Sequence, residues 1–155
     1  MPVVALENLE ARLAREARLL GLDVGRKTVG LALSDVRRKV ASPLVTIRRT
    51  RLSADLAAIR EIVAREGVGG FVVGLPIALD GREGPRCQSV RQFAADLLKE
   101  GDPPLAFFDE RLSTAAVERL LIDEADMSRA RRKQVVDKMA AAYILQGALD
   151  RIHPS

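Results

Sequence analysis

The apolar residues of this chain occur in short runs and in helical spacings, and both patterns predict regular structure. Five runs are rich in Val, Leu, Ile and Phe and are bounded by Gly, Pro or charged residues, as strands are. The first two runs are separated only by Gly25-Arg26-Lys27, which predicts a hairpin. The predicted strands are 18–24, 28–35, 43–48, 70–74 and 105–108.

Around these strands, apolar residues recur every three or four positions, which is the spacing of amphipathic helices. The predicted helices cover about 3–18, 53–66, 85–99, 113–122 and 131–151. After the first helix the order is βββαβαβαα, which fits one sheet with helices on both faces. We expect an α/β fold with a central mixed five-stranded sheet whose first three strands are antiparallel. Residues 1–17 are predicted to form a helical extension, and 18–155 a single domain.

The composition limits the chemistry that the chain supports. The 155 residues include one cysteine, Cys87, and one histidine, His153. An internal disulfide and a zinc site built on Cys or His are therefore excluded, and a Ser-His-Asp triad is disfavoured. Acid–base or metal chemistry must then use Asp and Glu, whose hard oxygen atoms suit Mg²⁺ or Mn²⁺.

The net charge of +4 and the pI of about 9.7 suit a nucleic-acid partner. The basic residues are 20 Arg and 5 Lys, so a general bias towards arginine explains the excess equally well. Aromatic residues make up only 3%, which argues against a platform for base stacking. No apolar run approaches the roughly 20 residues that span a bilayer, and the N-terminus lacks a signal-peptide pattern. We therefore expect a cytoplasmic protein with no membrane partner.

Asp23 lies inside the apolar stretch Leu22-Asp23-Val24, which is flanked by Gly21 and Gly25. A buried carboxylate is costly unless it is paired or binds a metal, and glycines let a ligand come close to the backbone. Asp23 is therefore a candidate ligand for a cation. The alternative is a turn or capping role, which most aspartates near strand ends have.

Other acidic residues can join Asp23. Asp109 and Glu110 follow the last strand, and Asp137 shares a face of the final helix with apolar residues three, four and seven positions further on. If the first and last strands are adjacent, Asp23, Glu110 and Asp137 converge, and divalent metal would relieve their repulsion. Two ions about 4 Å apart can activate water and hold a phosphate, which predicts phosphodiester hydrolysis. Alternatively, Asp109 and Glu110 form a solvated strand end.

Basic residues near these acids are candidates for phosphate contacts. Arg26 and Lys27 lie in the turn after Asp23. A second basic cluster lies just before Asp137. This cluster is a candidate for phosphate contacts, but it could equally be a solvated helix start, and its Lys133 could pair with Asp137. Arg111 could hold a phosphate with two hydrogen bonds or pair with a neighbouring acid. The cluster consists of Arg129, Arg131, Arg132 and Lys133, and a further group, Arg48, Arg49 and Arg51, follows the third strand.

Four motifs, in their order along the chain, resemble the YqgF family of RNase H-like nucleases, which are relatives of the RuvC Holliday-junction resolvases. The similarity covers about 20–151, nearly the whole chain. The matching stretches are Gly21 to Gly25 with Gly30 and Ser34-Asp35; Val73 to Pro76 with Asp80-Gly81; Asp109 to Thr114; and Val136-Asp137 through Gln146.

This resemblance implies an RNase H-like fold and a metal-dependent nuclease with Asp23, Glu110 and Asp137 as its acidic triad. The family pattern favours Glu110 over Asp109, which stays in reserve. Family members are associated with maturation of the 5′ end of 16S ribosomal RNA, and some are described as junction-resolving or DNA-cleaving. The implied partners are precursor rRNA or branched or single-stranded DNA. A monomer or a homodimer is expected, because resolving a junction takes two sites acting as a pair.

Two other functions fit parts of the pattern. The hairpin with Asp23-Val24-Gly25 also resembles the first phosphate loop of actin-like ATPases, although their nucleotide site lies between two lobes and 155 residues supply only one. A non-catalytic module that binds RNA or the ribosome is the other alternative. Residues 1–17 precede the point where family members usually start, so they are expected to be either an added element or the result of a misplaced start site.

Overall fold

The structure is a computed structural model that describes residues 3–78, 80–100, 103–112 and 129–154, except for the side chains of residues 100 and 129–136. The strands are β1 (Arg18–Val24), β2 (Thr28–Ser34), β3 (Ala41–Arg48), β4 (Val68–Leu75) and β5 (Leu105–Asp109). The helices are α1 (Leu6–Leu9), α2 (Leu52–Glu66), α3 (Pro85–Leu97) and α4 (Arg129–Ile152). Short 3-10 turns cover Glu10–Arg12, Leu98–Glu100 and Glu110–Leu112.

The five strands form one mixed sheet in the order β3-β2-β1-β4-β5. β1, β2 and β3 are antiparallel to one another in turn, while β4 and β5 run parallel to β1. The predicted sheet is confirmed, including its antiparallel first half. β1 is the central strand, and β4 separates it from β5, so the first and last strands are not adjacent.

Helices cover both faces of the sheet, and each face has its own apolar core. Leu20, Leu22 and Val24 of β1 pack with residues of α2 and α3 on one face. Leu19 of β1 packs with residues of α4 on the other. Because side chains alternate between the faces of a strand, a central strand covered on both sides must be apolar almost throughout, as β1 is.

α4 approaches the sheet closely because small residues lie beneath it. A Cβ atom added at Gly21 would stand 2.7 Å from the Cβ of Leu145, which is closer than side-chain atoms pack. Gln146 fixes the helix laterally: its Oε1 accepts a hydrogen bond from the Ala41 amide at 2.8 Å, and its Nε2 donates to the Lys39 carbonyl at 3.0 Å. The helix is therefore tied to the β2–β3 hairpin as well as to the core.

The N-terminal segment differs from the prediction. Instead of one helix over 3–18, helical structure covers only 6–12 and ends where Leu13 becomes extended. The Val4 amide donates to the Leu105 carbonyl at 2.9 Å beside β5, and Leu9 is fully buried in the core beneath α4. The apolar residues of this segment thus serve two different contacts, which their spacing alone does not reveal.

The final helix begins at Arg129, two residues before its predicted start. The helix predicted over 113–122 lies outside the described residues. Across the part of the chain that the structure describes, none of the helices combines the length and the apolar character needed to cross a membrane.

Candidate active site

The sheet edge at which β1, β4 and β5 end carries the acidic residues singled out from the sequence. Asp23 is the last but one residue of β1 and is only 9% exposed. In the ladder it pairs with Gly30 of β2, and it lies two residues after Gly21, which contacts α4, so the two share a face. Asp23 therefore lies on the α4 face of the sheet, and its predicted burial is confirmed.

Asp137 comes to this edge from α4. A Cβ atom at Gly30 would overlap the carbonyl oxygen of Asp137, so only glycine lets the helix backbone pass this close to β2. The carboxylate of Asp137 accepts a hydrogen bond from the hydroxyl of Thr28, at the start of β2. The inward orientation predicted for Asp137 is confirmed. The alternative partner, the side chain of Lys133, lies outside the described residues.

Glu110 reaches the same face by lying over β4. It is the first residue after β5, and its Oε1 would lie 2.9 Å from a Cβ atom added at Gly74. Gly74 follows Val73, which pairs with Leu22, so Gly74 stands in the strand position beside Asp23. The condition set for convergence, that β1 and β5 are adjacent, is not met, because β4 lies between them. Glu110 nevertheless lies over β4, where Gly74 leaves room for it.

Asp109 is engaged elsewhere. The Arg111 side chain donates three hydrogen bonds to its carboxylate: Nε to Oδ1 and to Oδ2, each at 3.0 Å, and Nη2 to Oδ2 at 2.6 Å. The hydrogen bonds from the Arg111 guanidinium hold the pKa of Asp109 below its usual value, against the opposing effect of partial burial. Arg111 thus pairs with a neighbouring acid, and Glu110, not Asp109, extends over the sheet.

Asp23, Glu110 and Asp137, which we call the acidic site, lie over three neighbouring strands. Adjacent strands are about 4.8 Å apart, so the three carboxylates occupy one short row. Among the described residues, no three Asp, Glu, His or Cys side chains surround a single point closely enough to hold a metal ion. The donor chemistry fits a hard divalent cation, since all three side chains offer carboxylate oxygens, and the Glu110 Oε1 lies over Gly74.

The basic residues predicted for nucleic-acid contacts divide into two groups. Arg26 and Lys27 are exposed in the β1–β2 turn, and within the described structure neither forms an ion pair. The remaining cluster is part of the first turns of α4, and its side chains lie outside the described residues. This cluster consists of Arg129, Arg131, Arg132 and Lys133.

Sequence reasoning missed the residues that shape the site without carrying charge. Thr28 orients Asp137, and Gly74 makes room for Glu110. A signal for Thr28 existed, because alternation along β2 puts it on the same face as Gly30. The role of Gly74 depends on the side chain of Glu110, which follows β5, and the sequence around Gly74 does not reveal that contact.

Comparison with solved structures defines the class of protein. Thermus thermophilus RuvC in complex with a Holliday junction substrate superimposes with a TM-score of 0.56 at 15% identity, over 87% of this chain and 94% of that one. The yeast mitochondrial Holliday junction resolvase Ydc2 gives a TM-score of 0.50 at 13% identity, over 93% and 82%. This likeness shows the fold alone, which is the RNase H-like fold of the RuvC-type resolvases.

Sequence comparison then gives the family. The model of the RuvX family, described as Holliday junction resolvase, matches residues 17–151. The chain belongs to the RuvX family, which confirms the resemblance to YqgF proteins.

Close relatives match beyond the family model. A protein of Paramagnetospirillum magneticum is 61% identical over 150 residues, 97% of this chain and 96% of its own. One of Phenylobacterium zucineum is 54% identical over 153 residues, 98% of each chain. Both are named, provisionally, pre-16S rRNA nucleases. Because these matches span nearly the whole chain, most of residues 1–17 has a counterpart in the relatives.

Proposed function

We propose that this protein is a metal-dependent nuclease that hydrolyses phosphodiester bonds in the 5′-end maturation of pre-16S rRNA. The observation that supports the proposal is that the three carboxylate residues share one face of the sheet edge, with Glu110 Oε1 over Gly74, in the strand position next to Asp23. The names of the relatives agree with it. A role in rRNA maturation places the activity in the cytoplasm.

The acidic site has the ligands for Mg²⁺ or Mn²⁺, and Asp23, Glu110 and Asp137 would hold the metal. When bound in a pair, such ions lower the pKa of a water so that it can attack, and they stabilise charge on the phosphate. The two-ion form of the mechanism is our prediction for this chain. Asp23 contributes a nearly buried, rigid position on β1, while Thr28 holds the Asp137 carboxylate towards the hairpin. Gly74 leaves room for the Glu110 carboxylate over β4.

Junction resolution is a second candidate, which the description of the RuvX family favours. A four-way junction is cut by two active sites acting as a pair, so this function requires a homodimer. The oligomeric state in solution, with and without a junction, therefore separates the two functions.

The proposal is tested with the purified protein and Mn²⁺ or Mg²⁺ on precursor rRNA, single-stranded DNA and a four-way junction. Asp23→Asn preserves the shape of the side chain but removes its charge. We expect cleavage to fall by about 100-fold or more, since even the residues that support a metal's direct ligands are worth 10–100-fold. Asp96→Asn, the same change on α3, is the matched control and should cleave like the wild type.

Two results would overturn the proposal. If Asp23→Asn cleaves as fast as the control, the acidic site is not the catalytic centre. If the wild type binds precursor rRNA but cuts none of the substrates with either metal, the protein is a binding module. A preference for the junction over precursor rRNA, with dimer formation, would support resolution instead.

A further inference from the structure

A second charged region lies on the other face of the same sheet edge. A cleft of about 450 Å³ opens between the end of β1 and the starts of α2 and α3. Three arginines from separate segments line it: Arg26 in the β1–β2 turn, Arg49 after β3, and Arg86 in the first turn of α3. We call this region the arginine cleft.

Two of these arginines are anchored to the backbone at the end of β1. Arg49 Nη1 donates to the Gly25 carbonyl at 2.8 Å, and Arg86 Nη2 donates to the Val24 carbonyl at 3.3 Å. The Arg49 guanidinium also stacks on the Phe93 ring, 5.1 Å from its centroid. These contacts fix the position of the cationic groups, and the carbonyl acceptor of Arg86 does not compensate its charge.

The charge balance of the cleft favours an anion. Asp55 is the acidic residue in the described lining, and it is 3% exposed. Its carboxylate accepts a hydrogen bond from the Thr50 amide at 3.1 Å and pairs with Arg49 at 3.5 Å, so it faces inward and is already satisfied. Arg26 and Arg86 remain as positive charges without a carboxylate partner in the described structure.

Further exposed cations continue this surface beyond the cleft. The Arg49 amide donates to the Lys27 carbonyl at 2.8 Å, which brings the end of β3 against the β1–β2 turn. Lys27 is exposed there, and Arg51 follows just before α2, whereas Arg48 pairs with Thr28 and so faces the α4 side. An open, polar cleft continued by a stripe of cations suits a chain of phosphates better than a compact apolar ligand.

We propose that the arginine cleft binds the phosphodiester backbone of the nucleic acid, at a phosphate displaced from the one that is cut. The inference rests on the proposed nuclease function. Asp23 and Val24 are consecutive and face opposite sides of β1, so the turn over 25–27 is the path between the acidic site and the cleft. A nucleic-acid strand that crosses the sheet edge there would contact both regions, and Arg26 and Arg86 would fix its position relative to the acidic site.

The test measures binding separately from cleavage. In an Asp23→Asn background, Arg26→Gln and Arg86→Gln are combined, and the Kd for a labelled single-stranded RNA, and for DNA of the same sequence, is followed against salt concentration. We expect about tenfold weaker binding and a salt slope reduced by about 0.7 for each phosphate that is no longer neutralised. Arg15→Gln, an exposed arginine before the opposite end of β1, is the matched control and should leave both quantities unchanged.

A conservative variant separates charge from structure. Arg86→Lys keeps the charge and should largely restore the salt slope, which a purely structural role of Arg86 would not predict. If the double variant melts early, Arg26→Gln alone carries the test, because Arg26 forms no ion pair within the described structure. Binding and slope equal to those of the Arg15→Gln control would overturn the proposal.

The outcome is distinguishable from that of the nuclease proposal. If the wild type fails to cleave but the cleft variants lose affinity and salt slope, the cleft is a nucleic-acid site on a protein that is not a nuclease. If the wild type cleaves and the cleft variants bind normally, only the cleft proposal falls.

Discussion

The two faces of the sheet meet at one edge with opposite chemistry. The acidic site lies under α4, where Gly30 and Gly74 allow a backbone and a side chain to come close. The arginine cleft lies under the starts of α2 and α3, where long side chains reach back to the carbonyls of Val24 and Gly25. The α4 face depends on glycines, which have no side chain, whereas the α2 and α3 face depends on long arginine side chains.

The comparison shows that consecutive residues of one strand can belong to two different candidate functional surfaces. Successive residues of a strand point to opposite faces, so Asp23 belongs to the acidic site while Val24 lines the arginine cleft. Both surfaces are therefore built around the last two residues of the central strand β1. A ligand held by both would contact anionic groups through metal on one side and cationic groups directly on the other.

The largest effect we expect distinguishes two adjacent acids at this edge. Glu110→Gln should reduce cleavage by about 100-fold or more, because Glu110 extends over Gly74 towards Asp23. Asp109→Asn should change cleavage by less than about fivefold, since its carboxylate is engaged in a partly exposed ion pair with Arg111. Single-turnover cleavage rates at saturating metal provide the comparison. A greater loss for Asp109→Asn would reassign the acid of the site.

The next effect concerns the close contact between the α4 backbone and β2 at Gly30. Gly30→Ala places a methyl group against the Asp137 carbonyl, so we expect the free energy of unfolding to fall by about 1–3 kcal/mol. Gly84→Ala, at the start of α3, meets no described atom within 4 Å and should cost less than about 1 kcal/mol. Urea denaturation with an unchanged m value measures both. Equal losses would mean that close packing on the α4 face is not the reason for Gly30.

The sequence predicted most of the sheet because apolar runs are a direct consequence of burial. The bounds of β1 agree with the prediction, and β4 is longer by a residue or two at its ends. The prediction of one N-terminal helix over 3–18 was wrong for an equally physical reason. Leu9 packs beneath α4 while Val3 bridges to β5, so two unrelated contacts produced a helical spacing.

The site was predictable where a residue contradicted its surroundings. Asp23 is a charge within an apolar strand, and Asp137 is a charge on an apolar helix face, so both stood out before the structure was known. The choice between Asp109 and Glu110 depends on how the chain turns after β5. Arg49 and Arg86 bind backbone carbonyls, and a carbonyl has no sequence signature, so the arginine cleft required the structure.

The smallest effect we expect concerns the pH dependence of the Asp109–Arg111 pair. Arg111 lowers the pKa of Asp109 in the folded protein. The pair therefore contributes stability that is fully present above the unfolded pKa of about 3.9 and is lost as the pH falls through the lower, folded value. Because both side chains are partly exposed, Arg111→Gln should lower the free energy of unfolding only slightly at neutral pH.

This difference between Arg111→Gln and the wild type should shrink as the pH falls below the unfolded pKa, which urea denaturation across a pH series would show. Arg111 also donates to the Ala78 carbonyl at 3.3 Å, a contact that does not titrate. A difference that persisted unchanged at acid pH would therefore attribute the stabilisation to the Ala78 contact. It would also remove the reason for regarding Asp109 as occupied, and Asp109 would again compete with Glu110 for a place in the acidic site.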